Sequence, residues 1–199
     1  VSIGGAPSVG ILYASLPVET VLIRNNGLIA ADVAIRTGSA TWPVSPSDAT
    51  IENSATGIIR GTIEGDLGSE RVINAGRIEG NLLLGDGADL FDNALGTHVG
   101  WASLGWGTDT FIGGAGAERV DGGRMDDNLS GGGGNDLLLG GMGADVISGG
   151  TGNDGLYGDY GNDVLLQQGG DRIFAGHGDD RIELADLAFA LVDGGAGRD

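Results

Sequence analysis

An apolar residue recurs every nine positions through the second half of the chain: Phe111, Val120, Leu129, Leu138, Ile147, Leu156, Leu165 and Phe174. Two residues before each stand Asp109, Glu118, Asp127, Asp136, Asp145, Asp154, Asp163 and then Arg172. Four residues before each come Gly107, Gly116, Met125, Gly134, Gly143, Gly152, Gly161 and Gly170, preceded by glycine pairs such as Gly113-Gly114, Gly122-Gly123 and Gly149-Gly150. The unit reads G-G-x-G-x-D-x-U-x, with U apolar. A short fixed period of this kind signals a solenoid, because one unit cannot bury its apolar side chain except against its neighbours.

The unit divides into two parts. Its first six residues hold up to three glycines and predict a turn, since glycine reaches positive φ without steric cost. Its last three, such as Leu137-Leu138-Leu139, suit one short strand whose middle residue faces inward and whose neighbours face outward. Two units then make one coil. Stacked coils give two parallel sheets with the U residues between them, an all-β parallel β-roll. Acidic residues 18 positions apart fall on the same side, about 4.8 Å apart up the stack. One side carries Asp109, Asp127, Asp145 and Asp163; the other carries Glu118, Asp136 and Asp154.

Such stacking has an electrostatic cost. Neighbouring carboxylates about 5 Å apart repel by roughly 1 kcal/mol even at the dielectric constant of water, and more near a protein surface. The chain as a whole has a formal net charge of −18, and all ten of its basic residues are arginine. This field repels nucleic-acid phosphates and anionic membranes and attracts cations, although a merely solvated acidic surface has the same composition. With 42 glycines, 4 prolines and no cysteine, neither a collagen nor a disulfide or thiolate-zinc framework is available. A divalent cation between successive turns would reverse the repulsion. Calcium fits best, because it accepts six to eight oxygens from carboxylates and backbone carbonyls in flexible geometry, whereas magnesium demands a stricter octahedron and keeps its waters. No histidine recurs in the unit to favour zinc.

The unit resembles the RTX, or hemolysin-type, calcium-binding nonapeptide repeat over about Leu104 to Leu184. That resemblance implies a β-roll holding several calcium ions. Each ion takes the carbonyls of positions 2 and 4 and the acidic side chain of one turn. It takes the carbonyls of positions 1 and 3 and the acidic side chain of the turn one coil later. Carried onto this chain, it implies one site from Gly132, Gly134, Asp136, Gly149, Thr151 and Asp154, and another from Gly141, Gly143, Asp145, Gly158, Tyr160 and Asp163. A third would use Gly123, Met125, Asp127, Gly140, Met142 and Asp145, and a fourth Gly105, Gly107, Asp109, Gly122, Arg124 and Asp127. A degraded site would pair Glu118, one methylene longer than aspartate, with Asp136 and draw on Gly114, Gly116, Gly131 and Gly133. The family also implies export of the parent protein by type I secretion machinery to the cell surface or beyond.

The departures from the pattern carry their own expectations. Met125 occupies a glycine position and should be strained. Arg172 stands where an aspartate would pair with Asp154, so that side should lose its next ion. From Phe174 to Ile182 the step is eight residues: Gly176–Ile182 still reads as a unit, with Asp180 a candidate metal ligand, but one position out of register with Asp163. The closing Gly194–Asp199 restarts the unit before its apolar residue, so the roll is expected to continue in a longer parent protein.

Residues 1–100 read as a parallel β-helix-like part with a cap, and 101–199 as the roll. In the first part, short β-branched runs are broken by Asn and Gly about every twenty residues, and Asn53, Asn74 and Asn93 recur at intervals of 21 and 19 after Asn25 or Asn26. Stacked asparagines would form a hydrogen-bonded ladder; hairpins with Asn-Gly turns are the alternative. Leu84–Phe91 is a single repeat-like unit with Asp89, 20 residues before Asp109, read either as an ion site with a distorted partner or as a vestige. Thr41–Asp48, with two prolines, reads as a bulging loop, and the first 20 residues as the cap.

Catalytic signals are weak. Gly150–Gly155 matches G-x-G-x-x-G only because the repeat generates it; H-E-x-x-H, G-x-S-x-G and lysine are all absent. His98 and His177 read as surface substitutions, Trp101 and Trp106 as core plugs at the junction of the halves, and Tyr157 and Tyr160 as surface residues. No catalytic residue is assigned. A calcium-binding structural module of a secreted protein, folding when calcium arrives, is the leading expectation. A polysaccharide-acting enzyme of the β-helix kind and a self-associating adhesin or surface-layer segment are the alternatives. No run of 18 apolar residues suggests a membrane span.

Overall fold

The computed structural model describes residues 2–3, 12–14, 21–37 and 48–199; the expected cap and the body of the proline-bearing loop lie mostly outside these. Among the described residues there is no helix, and every strand pairing is parallel. The chain winds as a β-solenoid. One ten-stranded sheet runs Ser2–Ile3, Val21–Asn25, Ala49–Asn53, Glu70–Asn74, Leu90–Asp92, Thr110–Ile112, Asn128–Ser130, Val146–Ser148, Val164–Gln167 and Arg181–Leu184. The opposing sheet of the later coils runs Ala102–Trp106, Arg119–Arg124, Leu137–Met142, Gly155–Tyr160, Arg172–His177 and Leu191–Asp193.

The two halves differ in cross-section. In the earlier coils Ile58–Glu64 bends between two ladders, pairing Arg77–Glu79 through Ile58–Arg60 and Leu82–Leu83 through Ile63–Glu64. A third face results, with strands Leu28–Ala30, Ile58–Arg60, Arg77–Glu79 and Thr97–Val99 in register. Its inward column is Ile29, Ile59, Ile78 and His98. His98 is therefore buried, contrary to the surface position expected for it. Its ring meets Phe91 edge-on at 5.3 Å, and Nε2 lies 2.9 Å from the Gly80 carbonyl oxygen. Beyond Thr97–Val99 the corresponding segment is the glycine-rich Gly113–Gly116 turn, and the two-sided roll begins.

The expected apolar column is observed. Phe111, Val120, Leu129, Leu138, Ile147, Leu156 and Leu165 are fully buried between the sheets. The eighth position differs: Ile173 is the buried residue, in register with Leu156, and Phe174 lies on the outer face, stacked 4.9 Å from Tyr157. The one-residue deletion thus falls in the turn Gln167–Asp171, not after Phe174. Parity explains the correction. A one-residue shift turns every side chain of a strand to the opposite face, and only Ile173 inward keeps Arg172 in solvent. The two sides of the roll also differ: strands after Asp109, Asp127 and Asp145 span three residues, whereas those after Glu118, Asp136 and Asp154 span six and run on into the next turn.

In the three-sided part the asparagine ladder forms. Asn25 Nδ2 donates to Asn53 Oδ1 at 2.8 Å, Asn53 to Asn74 at 2.7 Å and Asn74 to Asn93 at 2.7 Å, all buried. Outside, ion pairs Arg24–Glu52, Arg36–Glu64 and Arg60–Glu79 bridge successive coils, a minor contribution where solvent screens them. Asn74→Ala removes the shared rung and strands the Asn53 donor, so it should lower unfolding free energy by about 1–3 kcal/mol in urea denaturation. A change within 0.5 kcal/mol would show that the ladder is not holding these coils together.

Candidate metal centre

The six-residue turns place their acidic side chains inside the roll. Asp109, Asp127, Asp136, Asp145, Asp154 and Asp163 are at most 3% exposed, and Glu118 is 2% exposed. Each aspartate uses its first carboxylate oxygen to accept a backbone N–H from the acidic residue one coil earlier, whereas Glu118 Oε1 accepts the Asn93 side-chain amide. Asp109 N–H donates to Asp127 Oδ1 at 2.8 Å, Asp127 to Asp145 at 2.9 Å and Asp145 to Asp163 at 2.8 Å. On the other side Glu118 N–H donates to Asp136 at 2.8 Å and Asp136 to Asp154 at 2.7 Å. The second oxygen of every one of these carboxylates is buried and has no partner.

Both ladders continue past the deletion. Asp163 N–H reaches Asp180 Oδ1 at 2.9 Å, so the coil of 17 residues keeps Asp180 on the ladder, with its Oδ2 buried and unpartnered. Asp154 N–H reaches Asp171 Oδ1 at 3.0 Å, so Asp171 holds the rung assigned to Arg172, whose backbone pairs with Gly155. Asp171 Oδ2 accepts the Gln168 N–H at 3.0 Å and is not left over. The deletion shortens the turn enough for the backbone to satisfy this last carboxylate. Asp171 was missed because the nine-residue count was carried across the deletion; the Gly169-Gly170-Asp171 run was the available signal.

The turns fit closely around these oxygens. Gly132 and Gly134 have φ of 91° and 115°, which L side chains rarely adopt, and a Cβ on Gly134 would stand 2.0 Å from the Gly116 carbonyl oxygen. Met125 holds the Gly134 position with φ 75°, the strain expected for it, and Asp159 holds the Gly132 position with φ 72°. Over Gly131 converge Asp136 Oδ2 and the Gly149 carbonyl, 2.2 and 2.7 Å from where a Cβ would be. The same pairing of a ladder oxygen with the first carbonyl of the next turn recurs over Gly122, with Asp127 and Gly140, and over Gly158, with Asp163 and Ala175. The Gly132 carbonyl accepts the Thr151 N–H at 2.8 Å, and the Thr151 carbonyl accepts the Gly134 N–H at 3.0 Å. Each keeps a second lone pair. In the same way the Arg124 and Tyr160 carbonyls accept the N–H groups of Gly107 and Gly143. Gly141 pairs with Gly123, Met142 with Arg124, and Gly123 with Gly105, which holds the remaining turns in one register. Gly133 bridges to Thr151 on the opposite side, where Gly114 accepts the Gly133 N–H.

The side chains at position 3 of the turns point to solvent. Trp106 is 55% exposed with the Arg124 guanidinium 4.3 Å from its ring centroid, so it is not a core plug, and Trp101 is only half-buried. Tyr160 and His177 stack at 5.0 Å, both exposed as expected.

Burial pushes the ladder carboxyls upward: Asp127 to about 8, Asp145 to about 7, and Asp109, Asp154 and Asp163 to about 6. Neighbouring rungs, such as Asp109 and Asp145 on Asp127, add to the rise. Glu118 and Asp136 form a tight pair, both shifted upward chiefly by burial. Among the described residues no three His, Cys, Asp or Glu side chains gather as a metal cluster. A cation here would therefore draw on carbonyls as well as the paired carboxylates. That donor set, all oxygen with buried and unpartnered carboxylate atoms, fits calcium.

Without metal, each carboxyl raised above its unfolded value of about 4 stabilises the fold below that pH and loses the contribution as pH rises through about 6–8. In chelator the β signal should accordingly be retained best near pH 4 and be lost as pH rises to 8. A β signal in chelator that grows over this range would contradict the buried ladder.

Residues 103–138, 112–147, 121–156, 139–166 and 167–186 match the RTX calcium-binding nonapeptide repeat (4 copies). No curated protein and no solved structure matches the chain significantly. The match, the register of the turns and the two buried carboxylate ladders agree: residues 103–186 carry RTX calcium-binding nonapeptide repeats.

Proposed function

We propose that this chain is the calcium-dependent folding module of a secreted protein, kept unfolded where calcium is scarce and folded outside the cell. The observation that carries this reading is the column of buried, unpartnered carboxylate oxygens along both sides of the roll. A buried charge without a partner costs several kcal/mol, and the repeats carry many. Calcium supplies positive charge and accepts six to eight oxygens, at about mM concentrations for sites of the extracellular class.

The chain's own part is to hold oxygens in place. The Oδ1 hydrogen bond fixes each carboxylate, so Oδ2 is oriented before an ion arrives. The glycine turns bring carbonyls close without side chains between coils. Under this reading the ligand sets are those the family implies, centred on the pairs Asp109/Asp127, Asp127/Asp145, Asp145/Asp163 and Asp136/Asp154. The geometry supports adding Asp163/Asp180 to them. Export through a type I secretion route suits a chain that stays unfolded in a low-calcium cytosol.

Circular dichroism with and without chelator tests the reading. The β signal should be largely lost in EDTA and return with calcium in the mM range; full β structure in EDTA would overturn it. Asp145→Asn keeps an oxygen for the Asp127 N–H but removes a charge shared by two ions. It should shift the calcium midpoint upward by about tenfold or more, the equivalent of roughly 1.4 kcal/mol. An unchanged midpoint would remove Asp145 from the ligands.

A further inference from the structure

The carboxylate ladder does not begin where the repeats begin. Asp89 N–H donates to Asp109 Oδ1 at 2.7 Å, and Glu70 N–H donates to Asp89 Oδ1 at 2.7 Å. Glu70 and Asp89 are 1% and 2% exposed, and Glu70 Oε2 and Asp89 Oδ2 are buried without a partner. Both residues precede the segment that matches the repeat family. Glu70 occupies the column held by Ala49 one coil earlier, so it is the first acidic rung. Its Oε1 accepts the Thr37 hydroxyl at 2.8 Å. One oxygen is thus fixed and one is left over, as at the later rungs of the same ladder from Asp89 to Asp180.

The surrounding turn repeats the arrangement of the roll. Over Gly65 converge Glu70 Oε2 and the Leu84 carbonyl, 2.7 and 1.9 Å from where a Cβ would stand. This is the pairing found over Gly122, Gly131 and Gly158. Asp66 adds a further carboxylate on the same turn. Its Oδ1 accepts the Gly68 N–H at 3.0 Å, while its Oδ2 is buried and unpartnered. The sequence Gly65-Asp66-Leu67-Gly68-Ser69-Glu70 lacks the glycine pair and ends in glutamate, so it does not read as a repeat.

We propose that a divalent, oxygen-preferring cation binds between the turns Gly65–Glu70 and Leu84–Asp89, held by Glu70, Asp89 and the Leu84 carbonyl. This rests on the reading that the repeat turns bind calcium. It adds a site in the three-sided part, ahead of the repeats, where the first ladder starts. The longer glutamate side chain reaches the rung from a wider coil, which explains why an aspartate code misses it.

The test is calcium stoichiometry of the full chain by native mass spectrometry, for wild type, Glu70→Gln and Asp145→Asn. Glu70→Gln should bind one ion fewer while Asp145→Asn keeps the N-terminal ion. Equal counts for wild type and Glu70→Gln, with a lower count for Asp145→Asn, would overturn this site alone. A wild type that binds no calcium would overturn the underlying reading. Amide hydrogen exchange of the wild type covers the case in which Glu70→Gln fails to fold. Calcium should slow exchange across 65–70 and 84–89, and no calcium-dependent change there would also overturn the site.

Discussion

The structure depends on one divided interaction. The ladder aspartates, Asp171 excepted, each give one oxygen to a backbone N–H one coil away and leave the other buried and unmatched. The first half of that arrangement sets the pitch, because it ties every acidic residue to the next coil at the strand spacing. The second half makes the coil dependent on something outside the polypeptide. Without a cation the ladders are stable mainly when protonated, which is the sense of the upward shifts at Asp127 and Asp145. The glycines follow from the same constraint. A turn that must stack its carbonyls onto the next turn has no space for a Cβ, so glycine's entropic cost is accepted where Gly132 and Gly134 meet the turn before them.

The asparagine ladder solves the same packing problem with neutral chemistry. An amide both donates and accepts, so Asn25, Asn53, Asn74 and Asn93 satisfy one another with no ion. A carboxylate can only accept. The change is visible at one contact, where Asn93 Nδ2 donates to Glu118 Oε1 at 3.2 Å and the neutral ladder passes into the acidic one. Up the stack from Asn25 to Asp154 this column changes from self-sufficient to cation-dependent without a break in the sheets. On the opposite column the passage is from Ala49 to Glu70. The demand for a cation thus lies in the acidic columns, while the asparagine column satisfies itself.

Much of this was legible in the sequence because the repeat is short and strict. Period fixed the coil, parity fixed which residue faces inward, and the apolar column from Phe111 to Leu165 follows from those two facts. The asparagine ladder was legible from the spacing of Asn53, Asn74 and Asn93. What failed were inferences carried across an irregularity. At Gln167–Asp171 a count of nine pointed to Arg172 and Phe174, whereas burial selected Asp171 and Ile173. His98 looked like a stray polar residue because its column, Ile29, Ile59 and Ile78, belongs to a third face with no repeat of its own in the sequence. Trp106 looked like core because of its size, but its turn position points outward and Arg124 covers it instead.

The irregularities also show how such a ladder can end. Removing a residue from a turn does not displace the acidic rung, since both Asp171 and Asp180 stay in line after coils of 17 residues. The outcomes nevertheless differ. At Asp180 the turn Ala175–Asp180 keeps its full length, and the second oxygen stays unpartnered. At Asp171 the turn itself is the shortened one, and the Gln168 N–H closes onto the second oxygen. Turn length, more than the identity of the acidic residue, thus decides whether a rung is left open to a cation or satisfied by its own backbone. At the other end the turn Gly65–Glu70 keeps its six residues, and Glu70, with Thr37 on one oxygen, leaves the second unpartnered.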